Sequence, residues 1–194
     1  TNVLGMLELG GIPLRSEHRS DDDPLVIAGG PVATHAEPMA AFFDALLIGD
    51  GEEAAQEIAL TWVEAKRQGL PRAERLARLA KLQGVYVPSL YRTAPDEATG
   101  LEVVSGPEPG SEAPLPVRRR LVADLNRHPF PDDGPVGGPE AIFDRMSIEI
   151  ARGCTEGCRF CQAGMIYRPV RERDPDSIVE TVVSAVTKPG YDEV

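Results

Sequence analysis

Residues 153–164 read GCTEGCRFCQAG and contain all three cysteines of a 194-residue chain: Cys154, Cys158 and Cys161. An odd number of cysteines inside eight consecutive residues does not read as a disulfide framework. Reduced thiols kept for metal or redox chemistry fit the spacing Cys-x3-Cys-x2-Cys better. A thiolate is a soft donor, suited to zinc, copper(I) or iron–sulfur clusters. Structural zinc takes four protein ligands, usually from paired Cys-x2-Cys or Cys/His units. The chain has no fourth cysteine, and the nearest histidine in sequence, His128, lies across a proline-rich stretch. A four-iron cluster accepts three protein thiolates if another molecule takes the remaining iron. Gly153, Gly157 and Gly164 would let the backbone wrap closely around such a cube.

The surroundings of the motif predict a βαβ unit. SIEIA (147–151) reads as a strand, residues 152–173 as a loop carrying the cysteines, and DPDSIVETVVSAV as a helix. Asp174 and Pro175 suit the helix start, and Ile178, Val182 and Ala185 share one face. Gly190 ends that helix and YDEV begins the next strand. The loop then lies at the carboxyl end of a strand, where parallel α/β sheets and barrels bind ligands. Between Arg145 and Arg173 six arginines face only Glu149, Glu156 and Glu172, a balance of +3 against −11 for the whole chain. A basic segment suits an anionic cluster or ligand, although solvated surface arginines explain each one equally well. The overall charge argues against a nucleic-acid or anionic-membrane surface formed by the whole chain, without closing the nucleic-acid route. No apolar run approaches a membrane span.

The first 70 residues predict αβαβα. NVLGMLEL reads as a helix stopped by Gly10-Gly11, LVIAGG (25–30) and ALLIG (45–49) as buried parallel strands, and EPMAAFFDA between them as a short helix. A long helix follows from Asp50, with Asp50 and Glu53 as a capping-box-like pair and Ala55, Ile58, Trp62 and Ala65 on one face. Pro71 opens another helix with Leu76, Leu79 and Ala80 as its stripe. Ten of the 18 prolines fall within residues 85–140, a partly structured connector in which VYVPSLY, LEVV and VRRRLVADL could supply strands. The division is thus 1–70, 71–140 and 141–194. The chain begins without Met and ends in mid-strand, which reads as an internal piece of a longer protein.

Cys154-Thr-Glu-Gly-Cys158-Arg-Phe160-Cys161 resembles the signature of the radical S-adenosylmethionine (radical SAM) superfamily. The resemblance implies a [4Fe–4S] cluster on the three cysteines. Its open iron would be chelated by the amino and carboxylate groups of S-adenosylmethionine, and Phe160 would lie on the adenine side. It implies reductive cleavage of S-adenosylmethionine, a 5′-deoxyadenosyl radical that abstracts hydrogen from an unknown substrate, and an electron donor such as flavodoxin or ferredoxin. The location implied is cytoplasmic. LVIAGGP followed by ALLIGDGEE resembles the end of the cobalamin-binding domain that precedes many radical SAM barrels. There Gly29 and Gly30 would approach the corrin's nucleotide tail; the cobalt-ligating Asp-x-His-x-x-Gly motif is absent from this chain. The implied fold is α/β: the end of a Rossmann-like (flavodoxin-like) cobalamin-type domain, a linker, and the first βα unit of a partial (β/α) radical SAM barrel. With so little of the barrel present, the chain alone is not expected to turn over S-adenosylmethionine.

Two other readings stay open. One is a methylthiotransferase-like RNA-modifying enzyme, against which the acidic charge and the lack of a visible second cluster site both weigh. The other is a non-catalytic module using the cysteines for zinc. Plain structural roles compete for the remaining candidates. Gly29-Gly30 serves equally as a tight turn. Asp50, Glu52 and Glu53 suit a helix cap, and His18, His35 and His128 suit a solvated surface, with His35 alone following a glycine turn at a strand end. Arg152 and Arg168 could reach a ligand or simply make salt bridges.

Overall fold

The computed structural model describes residues 2–134, 145–188, 191, 193 and 194. The chain divides into two units, Thr1–Leu121 and Val122–Val194. The observed class is mixed α/β with small sheets.

In the first unit, α1 spans Asn2–Leu9 and stops at Gly10-Gly11, where Gly11 takes a positive φ of 64°. Strand β1 (Ile27–Ala28) pairs in parallel with β2 (Ala45–Leu47), as the two apolar runs predict. β2 is fully buried, but β1 lies at the sheet edge and Ile27 is exposed. The short helix expected between them is two 3-10 segments, Pro31–His35 and Glu37–Phe42. Each carries a proline near its start, which fixes φ and removes an amide donor, so no continuous α-ladder forms.

Helices α2 (Ala54–Arg67) and α3 (Arg72–Leu79) follow, joined through Gly69 and Pro71. The buried face of α2 is Ala54, Ile58, Trp62 and Ala65, so Ala54 takes the place predicted for Ala55. The expected cap also differs. Glu53 occupies the N-cap position and makes no side-chain cap bond. Instead Glu53 and Glu57 receive the Arg120 guanidinium at 2.8 and 2.7 Å. A cation delivered by a distant segment outcompetes a local cap for these carboxylates.

β3 (Val85–Tyr86) runs antiparallel to β2 and completes a three-stranded mixed sheet, so the sheet is not wholly parallel. β4 (Tyr91–Pro95) and β5 (Glu102–Pro107) form a bulged antiparallel hairpin. The core joins Leu46, Ile58, Trp62, Leu79, Val85 and Tyr91. Residue 120 threads against this sheet because Gly49 and Gly84 have no side chain. A Cβ on Gly49 would stand 2.0 Å from the Arg120 carbonyl oxygen, and one on Gly84 would stand 2.8 Å from that of Ile48.

One carboxylate holds the loops of this unit. Asp44, just before β2, meets Arg19 at 3.1 Å and Arg72 at 2.8 Å, with no side-chain exposure of Asp44 or Arg19. It also accepts from the Val26 amide at 2.7 Å, beside β1. Arg19 donates to the carbonyls of Pro13, Leu14 and Phe42, and Arg72 to those of Ser20, Asp23 and Pro24. Arg72 and Arg75 also stand over the Trp62 ring at 5.3 and 5.4 Å.

The second unit contains β6 (Ala151–Arg152), a one-turn helix α4 (Ala163–Ile166), β7 (Arg171–Glu172) and α5 (Pro175–Thr187). Asp174 caps α5, accepting from the Asp176 and Ser177 amides, with Pro175 in the first turn as predicted. The predicted strand over 147–151 is reduced to its last residue. β6 pairs antiparallel with β7, because the return limb of its own loop is the ladder partner that this unit presents to it. One backbone bond, Met146 N–H to Glu193 O at 2.9 Å, joins the starts of the two stretches predicted as neighbouring strands. The end expected for α5 at Gly190 lies outside the described residues. No helix among the described residues is long and apolar enough to cross a membrane.

Asp44→Ala would leave two guanidinium groups buried without their counter-ion. Removing one partner of a buried ion pair costs about 3–5 kcal/mol. Urea unfolding of the first unit, followed through Trp62, should show a loss of that size; a loss under about 1 kcal/mol, the scale of an exposed pair, would refute this role for Asp44.

Candidate metal centre

The three cysteines lie on a loop whose two ends are fixed. The ladder of β6 and β7 closes it through the pairs Ala151↔Glu172 and Arg152↔Arg171, and Arg173 N–H extends it to Ile150 O at 2.9 Å. Glu149 bridges the two limbs. Its carboxylate takes Arg152 Nε and Nη2 at 2.8 and 3.0 Å on the outgoing limb, and Arg173 Nη2 at 3.1 Å on the returning one. Arg173 is buried, donates to the carbonyls of Leu125 and His128 at 2.7 and 2.8 Å, and stands over Phe130 at 5.8 Å. Arg171, also buried, donates to Val122 O at 2.6 Å. Segment 122–130 therefore braces the returning limb, and Asn126 Oδ1 accepts a further bond from the Asp174 amide.

Gly153 stands where the chain leaves the ladder. Its φ is 101°, and a Cβ there would meet Tyr167 O at 2.6 Å and Pro169 O at 2.8 Å. Its closeness is to the loop's own returning limb. Around Gly164 the nearest atom to an added Cβ would be Glu156 O at 3.2 Å, a milder contact, while Gly157 has open space around it. All three cysteines are free; Cys154 and Cys161 are half-buried and Cys158 is exposed. A turn links the last two, with Cys161 N–H donating to Cys158 O at 3.2 Å. Phe160, between them, is 91% exposed. Among the described residues no three His, Cys, Asp or Glu side chains are gathered as a ligand set. The donors fit a thiophilic metal group in kind: three free thiols on one accessible loop. They are not preassembled, so binding requires the loop interior to close.

The segment's arginines separate by role. Arg152, Arg171 and Arg173 hold the loop's ends, and Arg145 faces Glu193 at 3.9 Å. Arg159 and Arg168 are exposed on the loop itself. Sequence pattern alone did not show that Glu149, Arg152 and Arg173 act together. The available signal was a glutamate inside an apolar strand-like run, answered by an arginine on each limb of the loop.

The glycine turn of the first unit borders a separate cavity of about 260 Å³ at the end of β1, lined by Ala28, Gly29, Val32, His35, Phe43 and Leu46. Gly30 has a φ of 88° and nothing within 4 Å of where a Cβ would be. Of the other candidates, Asp50 is buried and its amide donates to Arg120 O at 3.0 Å. His18 faces Glu17 on the surface.

Residues 1–88, less than half of the chain, match the family model described as radical SAM proteins, N-terminal. The uncharacterized protein MJ0966 of Methanocaldococcus jannaschii is 24% identical over 167 residues, covering 86% of this chain and 29% of that protein. The chain therefore spans less than a third of the relative's length. No solved structure matches.

The bidentate bond from Arg152 is the main reason that Glu149 titrates below the usual glutamate range; partial burial opposes the shift and Arg173 adds to it. A depressed carboxyl pKa means that the clamp's stabilisation is complete above the unfolded value and is lost as pH falls through the folded one. Carbon-detected NMR titration should find Glu149 below its ordinary value and find it returned upward in Arg152→Met. An unshifted Glu149 in the unaltered protein would contradict the clamp.

Proposed function

We propose that this chain carries the cluster-binding loop of a radical SAM iron–sulfur enzyme, with Cys154, Cys158 and Cys161 as the iron ligands. One observation carries this reading. The family match ends at residue 88, and the three-cysteine loop lies wholly outside it, so two separate stretches point to the same class. When bound, a [4Fe–4S] cluster would supply the electron that cleaves S-adenosylmethionine. The chain's own residues would hold the ends of the loop, through Glu149, Arg152 and Arg173, and present Phe160 toward the adenine. A small electron-transfer protein such as flavodoxin or ferredoxin is the partner this chemistry calls for, in a cytoplasmic setting that keeps thiols reduced.

The finer fold reading belongs to the same proposal: a Rossmann-like cobalamin-type domain ahead of the opening βα unit of a partial (β/α) barrel. The parallel β1–β2 pair with its open glycine turn supports the first part. The Met146–Glu193 rung, with α5 between its ends, supports the second. The cavity beside Gly29 is just below the roughly 300–1,000 Å³ of ordinary ligand pockets, so it suits one group of a larger cofactor, such as a nucleotide tail. If that group is cobalamin's tail, Gly29→Val, at a position without a positive φ where an added Cβ meets only ordinary contacts, should weaken cobalamin retention in equilibrium dialysis with little change in the thermal unfolding of the chain. Equal retention in both proteins would leave Gly29-Gly30 as a turn only.

Anaerobic reconstitution with iron and sulfide tests the cysteine assignment. The unaltered chain should take up about four irons with broad visible absorption, as thiolate-held clusters do. Cys154→Ala, Cys158→Ala and Cys161→Ala should each lose stable uptake. A full cluster in Cys158→Ala, or tight colourless zinc in place of iron, would overturn it.

A further inference from the structure

The three cysteines are not equivalent in the unassembled loop. Cys154 follows Gly153, whose backbone is pinned against the carbonyls of Tyr167 and Pro169. Cys158 and Cys161 instead close a hydrogen-bonded turn further along the loop, through Cys161 N–H to Cys158 O at 3.2 Å. The ends of such a turn have Cα atoms less than about 7 Å apart. Disulfides span roughly 4.4–6.8 Å between Cα atoms. Cys158 is exposed and Cys161 half-buried, so both are open to a soluble reactant. Gly157, immediately before the pair, has open space around it and gives the backbone room to adjust.

We propose that Cys158 and Cys161 are a reversible disulfide site, oxidised by a small disulfide such as glutathione disulfide when the loop holds no metal. The exchange is balanced. One cysteine thiolate attacks the glutathione disulfide and releases one glutathione. The second then attacks the mixed disulfide and releases another. Two electrons pass from the cysteine pair to the oxidant, and the two thiol protons leave with the released glutathiones or to solvent. Cys154 remains a thiol. The consequence for function rests on the reading above: with two of three ligands tied together, the loop takes up no cluster until a dithiol reductant reopens the pair.

The test is made on metal-free protein and does not depend on the cluster. Trypsin cleaves after Arg159, placing Cys154 and Cys158 in one peptide and Cys161 in the next. After incubation with glutathione disulfide and alkylation, mass spectrometry should find the two peptides joined and Cys154 alone alkylated. The join should persist in Cys154→Ser, vanish in Cys158→Ser, and be reversed by dithiothreitol. Three alkylated thiols, a join that survives in Cys158→Ser, or a bond confined to the first peptide would overturn the proposal. Iron uptake by the oxidised protein, measured separately, should be lost and then restored by reduction. If the pair forms yet the reduced protein also binds no iron, the disulfide site stands and the cluster assignment fails.

Discussion

Irregular backbone is buried only where its carbonyls find donors. In both units the donor is an arginine, and the arginine is held by a carboxylate that it shares with a second one. In the first unit Asp44 lies between Arg19 and Arg72, whose guanidinium groups cover six carbonyls of the segments around 13–24 and 42. In the second, Glu149 lies between Arg152 and Arg173, and Arg173 reaches the carbonyls at 125 and 128. Five donors in a planar fork make arginine the residue able to bond several carbonyls and a carboxylate at once. Sheets of two- and three-residue strands cannot hold such long connections by ladder bonds alone.

The same device shapes the candidate centre. Glu149 and the β6–β7 ladder fix the ends of the cysteine loop, Gly153 lets its limbs approach, and within residues 154–161 a backbone turn joins Cys158 to Cys161. A loop with rigid ends and an unassembled interior suits ligands that must gather around an inserted group. Its positive side chains divide by exposure: Arg152 and Arg171 near the ladder are half-buried or buried, and Arg159 and Arg168 lie on the exposed part.

Much of the local structure was legible in the sequence. Gly10-Gly11 stops α1, Asp174-Pro175 starts α5, and the two apolar runs pair in parallel, because caps and apolar runs act over a few residues. What was not legible depends on distant partners. Asp50 and Glu53 look like a capping box, but Arg120, more than sixty positions away, takes Glu53 and Glu57. VYVPSLY reads as a possible strand of the connector, but its pairing with β2, forty positions earlier, does not show in the sequence. Nothing local in Arg19, Asp44 or Arg72 announces that they meet. At the candidate centre the spacing of the cysteines is visible in the sequence, whereas the Glu149 clamp, formed across the loop, is not.

The central claim is that this loop holds a cluster with one iron left open for S-adenosylmethionine. Electron paramagnetic resonance of the reconstituted, dithionite-reduced chain, recorded with and without S-adenosylmethionine, tests it most directly. The account predicts a reduced-cluster signal that changes shape when S-adenosylmethionine is added, because its amino and carboxylate groups join the open iron. A cluster signal indifferent to S-adenosylmethionine, or no iron-dependent signal at all, would contradict it.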